Sequence, residues 1–550
     1  MDSQENNARR PALKTERTRT YPPLNLPRGY LRVGALLAVL WVGLCFAIMK
    51  WRLATEGQEM PDFLLDMGRG VIWITMGLLF AFSPHTLWKI KRYERKRDLE
   101  DRAHAQWMID EAQQTFALEI QGIGLGMHGT TLVDLWTSMS PGIHAAAVAP
   151  TPPKDDYSLR DWLYPLRRTA FRGAAAQAVT FWPIPTFVVG SLRAEEQQVS
   201  AAWTINEARN AAMLGQHLFV TTHSERGNQV QTMIQHLFRF MDEQPRVPQT
   251  LMVSDEEAVS APARSQVRAN TCALLLGRAD RGAALASSAI ETPKGEAFMG
   301  TALGKLWTFF WNTDTAYAAD FLKTRGAQHD ATATIPRTMP AGYWQERLAE
   351  LPRVGDYGGT GSFVPSPWLP VRWARFQVQT FEAAPLLGYL HRPVTVATLP
   401  EEGETAAGMH NIALLKDGWI NALNSLPAGE RPVRVFHDSS RHPAAKATLI
   451  RALSEPSHEG RGLGLTHPDE AFDIGQLIGD TGIGSTLLLI SLATAASHES
   501  GGISAVVYIG DDHSTTFQMI RPPTAARKQK NQQNEAPANP FSTRTESALQ

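Results

Sequence analysis

Two stretches near the start of the chain show no alternation between apolar and polar positions. Residues 33–49 (VGALLAVLWVGLCFAIM) form an uncharged run of 17, and residues 70–88 a second run of 19. A bilayer core about 30 Å thick takes roughly 20 apolar residues at a rise of about 1.5 Å each. Both runs therefore predict transmembrane helices, over 31–50 and 70–88, with Arg32, Lys50 and Lys89 snorkelling outward. Trp51, Trp73 and Trp88 lie near the run ends, where aromatic belts form. His85, near an end, reads as an interfacial residue. Neither run has a polar face, which argues against buried core helices. The first follows a 30-residue polar leader and no small-residue cleavage site follows it, which argues against a secretory signal.

Downstream the pattern turns mixed. Residues 94–114 are rich in helix formers without Gly or Pro and predict a helical stalk extending the second run. A strand is expected from Phe116 to Ile120 or a little beyond, breaking at Gly122-Ile123-Gly124, then a helix around 131–139 and a Pro/Ala-rich loop over 141–157. Residues 180–190 have strand composition, with two prolines that demand an edge or an interruption. Residues 227–242 place Val230, Met233, Ile234, Leu237, Phe238 and Met241 at helical spacing, and 407–426 repeat the pattern with Ile412, Leu415, Trp419, Ile420 and Leu423. Each leads through a proline turn into a strand, 249–253 and 433–436. The two segments, 237–255 and 422–440, suggest an internal duplication, with coincidence as the alternative. Residues 325–370 are loop-rich. An apolar helix over 485–496, strands over 503–509 and 515–520, and a polar tail from Pro522 complete the pattern.

The fold class expected is two transmembrane helices plus an α/β soluble region of two related halves. The boundaries are a disordered basic leader (1–30), a transmembrane helix (31–50), a short periplasmic loop (51–69), a second transmembrane helix (70–88), a stalk (89–114), a first α/β half (115–330), a connecting loop region (331–372), a second half (373–521) and a disordered tail (522–550).

Charge orients the anchor. The leader to Arg32 carries seven basic residues, and Lys89, Lys91, Arg92, Arg95, Lys96 and Arg97 follow the second run. The connecting loop from Lys50 to Arg69 holds three, beside Glu56, Glu59, Asp62 and Asp66. The positive-inside rule then puts both termini and the large domain on the cytoplasmic side of the membrane. The cluster after the second run can also touch anionic lipid, though a topogenic signal suffices to account for it. Over the whole chain 53 basic residues balance 54 acidic ones, so charge gives no reason to expect nucleic acid. Two cysteines, Cys45 and Cys272, offer no disulfide framework.

Candidate chemistry is sparse. Gly124-Leu-Gly126-Met-His-Gly129 matches a dinucleotide fingerprint, but no strand ending in Asp or Glu follows about 20 residues on, and a structural turn is the simpler reading. No phosphate-binding loop, zinc spacing or nucleophile elbow occurs. Ser485 after Gly484 reads as a helix cap. Cys272 opens an apolar run and reads as a buried structural thiol. No catalytic, cofactor-binding or metal residue is assigned, and no cofactor is expected.

Four stretches, 116–136, 225–255, 376–393 and 465–496, resemble the bacterial type VI lipase adaptor family over about residues 110–520. That resemblance implies a non-enzymatic protein that escorts a phospholipase effector to the VgrG spike of a type VI secretion system. Ile120-Gln-Gly122-Ile-Gly124, followed by a tryptophan-bearing helix, and Gly479-Asp480-Thr481-Gly482 also look like parts of a ketosynthase in the thiolase-like superfamily. The position of that superfamily's histidine holds Asp480, Gly475 stands where its lysine is expected, and no cysteine fits its nucleophile helix. The resemblance thus implies a fold whose active site has been lost. The leading expectation is a membrane-anchored adaptor with a lipase effector and VgrG as partners. The alternatives are an acyl-transferring or acyl-hydrolysing enzyme of ketosynthase type, and a structural inner-membrane component of the secretion apparatus.

Overall fold

The structure is a computed structural model. It describes residues 29–55, 61–113, 116–139, 156–190, 205, 209, 217–219, 229–257, 267–293, 295–325, 338–351, 363–399, 405–427, 429–458, 463–465, 467, 469–510 and 512–533. These fall into two compact units, one within 12–113 and one from 114 onward. The loop expected over 141–157 lies outside the described residues except for its last two, which begin a helix, and the leader 1–30 outside except for its last two.

The first unit is a pair of helices, α1 (Gly29–Thr55) and α2 (Pro61–Gln113). They run antiparallel, because Gly34 abuts Leu78 and Gly70 abuts Trp41. A Cβ at Gly34 would lie 2.7 Å from the Leu78 methyl, so glycine permits the close approach there. Both helices are long and apolar enough to cross a membrane, and their apolar side chains are largely exposed. The loop expected over 51–69 is shorter than its sequence suggested. Helix α1 runs on to Thr55 and α2 begins at Pro61, and α2 continues through Pro84 as one helix of 53 residues that includes the stalk.

The body is built on one mixed sheet. Its strands are β1 (Ala117–Met127), β2 (Ile184–Gly190), β3 (His217–Phe219), β4 (Gln249–Glu256), β5 (Asn270–Gly277), β6 (Gly388–His391), β7 (Val394–Ala397), β8 (Pro432–His437), β9 (Ala471–Asp473), β10 (Ile503–Ile509) and β11 (Ser514–Arg521). The helices are α3 (Leu132–Ser138), α4 (Asp156–Ala175), α5 (Gln229–Glu243), α6 (Ala279–Ala286), α7 (Ala302–Arg325), α8 (Ala341–Arg347), α9 (Arg375–Ala383), α10 (Thr405–Leu423), α11 (Pro443–His458), α12 (Ile474–Leu477), α13 (Ser485–Ser500) and α14 (Ala525–Gln533).

From the centre outward the first set of strands runs β1-β5-β4-β2-β3, and the second runs β6-β11-β10-β8-β9. In each set the first two pairings are antiparallel and the last two parallel. The sets join where Ala117–Ile120 of β1 pair antiparallel with His391–Gly388 of β6. Strand β7 also pairs with β11, in line with β6, so β6 and β7 are one strand interrupted at Arg392-Pro393, where proline removes a donor. The two sets thus repeat one strand order and one pattern of pairing. The segments 237–255 and 422–440, however, end on β4 and β8, which stand at different places in the two sets. Strand β4 matches β10, and α5 before it matches α13.

Alternation with period two feeds two cores. Ile503, Ala505, Val507 and Ile509 of β10 pack with α10 and α11 on one face, whereas Val506 and Tyr508 join the larger core. Helix α13 lies in that larger core with every residue from Ser485 to Ser497 buried, which is why its sequence has no polar stripe. The six apolar positions anticipated in α5 are all buried. Two expectations differ. Strand β1 does not break at its glycines but runs through them to Met127, with a register shift between Ile120 and Gly122. The tail from Pro522 carries α14. Asn531 ties it down by accepting from the Leu386 amide at 3.1 Å and donating to the Leu386 carbonyl at 2.9 Å.

Candidate functional site

One cluster of buried polar residues lies where the two strand sets meet the loop before α13. Strands β4 and β5 are antiparallel neighbours with Asp255 opposite Thr271 and Glu256 opposite Asn270. This hairpin rim holds the loop 480–484. The Ile483 amide donates to Glu256 Oε2 at 3.0 Å. Asn270 Nδ2 donates to the Thr481 carbonyl at 2.9 Å, and the Arg268 amide donates to the Asp480 carbonyl at 2.8 Å. Gly482, at φ +57°, gives the Glu256 carboxylate room that any Cβ would fill. The rim itself is braced by Arg167 of α4, whose Nε donates to Asp255 Oδ2 at 2.9 Å and whose Nη2 reaches Glu257 Oε1 at 2.6 Å. Thr271 Oγ1 donates to the other Asp255 oxygen at 2.7 Å.

Facing the same loop is the end of β8. Arg441 spans the gap, with Nε 3.5 Å from Asp480 and Nη1 3.4 Å from Ser485 Oγ. Asp438 is 1% exposed, and neither carboxylate oxygen makes a hydrogen bond of ordinary geometry. Burial pushes its pKa up to about 7, with Arg441 at 3.9 Å and the nearby Ile509 amide only partly offsetting it. Next to it are Ser439, His437 and Asp473. Ser439 Oγ lies 2.9 Å from His437 Nδ1 and Asp473 Oδ2 lies 3.6 Å from the same nitrogen. A hydrolytic relay needs the serine and the acid on opposite ring nitrogens, so this trio cannot pass a proton from serine to acid. All three are buried, and burial depresses the His437 pKa to about 4, which keeps the ring neutral. Asp473 is already engaged by Lys446 at 2.7 Å and by Ser440 at 2.8 Å.

The residues singled out in the sequence take structural places. Gly122, Gly124 and Gly126 face α4, where a Cβ on any of them would strike the carbonyl oxygens of Ala174, Ala170 and Leu166, one helical turn apart. The glycine pattern therefore serves strand–helix contact. Ser485 is not the cap, which falls on Gly484; its hydroxyl instead meets Thr481 Oγ1 at 2.8 Å. Cys272 is a free, buried thiol in β5, where burial pushes its pKa up to about 12 and suppresses the thiolate. Asp480 belongs to the loop seam, and Gly475 abuts Ser440 beside it. His85 packs edge-on to Trp88 in α2. Sequence reasoning missed Arg167, Glu256, Asn270 and Asp438, since each takes meaning only from partners far along the chain. Among the described residues no group of His, Cys, Asp and Glu could hold a metal ion.

Comparison with known proteins matches two family models. The one described as type VI lipase adapter protein Tla3, N-terminal, covers residues 116–272, and its C-terminal counterpart covers residues 387–522. Both sides of the loop seam lie inside these matches. Among solved structures the chain has a distant similarity to ketosynthases. An oxazolomycin ketosynthase domain of Streptomyces albus is 9% identical with a TM-score of 0.40, covering 74% of this chain and 96% of that one. The ishigamide ketosynthase/chain length factor is 12% identical with a TM-score of 0.38, covering 74% and 100%. Cerulenin-bound OleA of Xanthomonas campestris is 12% identical with a TM-score of 0.36, covering 74% and 97%.

Proposed function

The chain belongs to the type VI lipase adapter family Tla3, and from that premise we propose that it is a non-catalytic adaptor that captures a lipase effector and presents it to the VgrG spike. The helical pair α1–α2 tethers it to the inner membrane, with both termini and the body on the cytoplasmic side, where the spike is loaded. Support for a binding role comes above all from the seam around 480–485. Its serine, thiol and histidine are buried, tied to structural partners or misaligned for proton transfer. A ketosynthase-type enzyme would need an accessible nucleophile, and the Cys272 thiol does not supply one.

The test is a pull-down of the detergent-solubilised full chain from cells with active secretion. A lipase and the VgrG protein should be recovered together, and VgrG should be lost when the lipase gene is deleted. Recovery of neither would defeat the proposal. Baseplate components recovered regardless of the lipase would favour a structural role instead, and an acyl adduct found on a serine or cysteine by mass spectrometry would favour an enzyme.

A further inference from the structure

We propose that α14 is an order–disorder strap: it is helical only while docked on the body, and it comes away as a unit while the sheet beneath it stays folded. Its 9 residues, Ala525–Gln533, are too few to hold a helix in water, where about 12–15 are needed even with good helix formers. Docking must therefore supply what length does not. The helix offers almost no apolar surface for that purpose. Its sequence is AARKQKNQQ, and Asn531 is its one buried residue.

Polar contacts dock it instead. Lys528 Nζ donates to the His498 carbonyl in the last turn of α13, where helix carbonyls lack intrahelical partners. Asn531 makes the second contact. Pairing of β6 with β11 stops at Tyr389 opposite Arg521, and the following Pro522 and Pro523 have no N–H to donate to a ladder. The side-chain amide of Asn531 then serves Leu386 as a peptide group would, accepting at 3.1 Å and donating at 2.9 Å. Asn531 stands in the last turn of α14, so fraying from that end breaks this grip first. One group counts against docking. Arg527 Nε is buried without a hydrogen-bond partner, a mismatch that costs about 1–3 kcal/mol. Beneath the strap is the join of the two strand sets. The Arg527 charge acts on the buried carboxylate of Glu119, a residue of β1 that pairs with Tyr389 of β6. Opening the strap bares the Leu386 backbone and gives water a path to that carboxylate.

Hydrogen exchange of the detergent-solubilised full chain reads the strap at one amide. The Leu386 N–H donates to Asn531, whereas the neighbouring Leu387 N–H donates to the Ile120 carbonyl at 2.8 Å within the sheet. In the native chain Leu386 and residues 528–533 should exchange together, more slowly than a free peptide and about tenfold or more faster than Leu387 and β11. Asn531→Ala should abolish protection over 528–533 and speed Leu386 by about tenfold or more, leaving Leu387 and β11 unchanged. Lys528→Met, at the other docking contact, should loosen the same amides. Native exchange at Leu386 as slow as at Leu387 would overturn the strap, and so would a helix that stays protected in Asn531→Ala. Loss of protection at Leu387 or β11 in that variant would equally overturn it, because α14 would then be an integral part of the body.

Discussion

At the scale of single residues, buried ionisable groups and glycines carry the clearest consequences. Asp438 has its pKa raised from 3.8 to about 7, chiefly by burial. The unfolded chain ionises near pH 4 and the folded one near pH 7, so the contribution of this group is fully present below pH 4 and is lost as pH rises through 7. Asp438→Asn should therefore stabilise the protein at pH 8 by on the order of 1–3 kcal/mol, with the advantage fading below pH 4, as read from melting temperatures across that range. His391 and His437 slope the opposite way. Burial lowers their pKa values from 6.5 to about 3 and 4, so their contribution is lost as pH falls below 6.5. Glycines separate two readings of one motif. Gly124→Ala forces a methyl into the Ala170 carbonyl and should cost about 3 kcal/mol or more in urea unfolding. Gly129→Ala meets no neighbour and carries only the cost of its φ of +75°, about 1–2 kcal/mol. A nucleotide loop would have made both glycines critical for binding, and equal small effects at the two would contradict the packing role.

At the scale of elements, the seam depends on the loop 480–484 staying seated on the β4–β5 rim. Glu256→Gln weakens the acceptor for the Ile483 amide, and Asn270→Ala removes the donor to the Thr481 carbonyl. Each should raise hydrogen exchange at residues 480–484 and lower stability by about 1–3 kcal/mol, while β10 and β11 stay protected. Unchanged exchange in both variants would mean that the rim does not hold the loop. Elements were legible in the sequence where one local period dominates. The apolar positions of α5, the unpatterned apolar run of α13 and the short apolar run of β10 could be read without any partner. Strand β1 was not, because its glycines look like a break until α4 lies against them. The α14 helix was missed for a similar reason, since it is fixed by distant backbone, with Asn531 gripping Leu386, 145 residues away, and Lys528 reaching the His498 carbonyl. The site was the least legible part. Arg167 meets Asp255 across 88 residues and Ile483 meets Glu256 across 227, separations that carry no local pattern.

At the scale of the whole molecule, the adaptor reading requires the body and both chain ends on one side of the membrane. A phosphatase reporter fused after Gln550 should stay inactive, while one inserted between residues 56 and 60 should be active. The opposite pattern would place the body away from the spike. The chain belongs to a family recognised through separate N-terminal and C-terminal matches, yet the two strand sets share a single sheet through the pairing of β1 with β6. Neither half has a rim of its own at that junction. A polypeptide stopped after β5 would present the Ala117–Ile120 backbone as a raw, untemplated edge, ready to recruit a stray strand. Expressed apart, the halves should clump rather than fold, and the body should melt in one step.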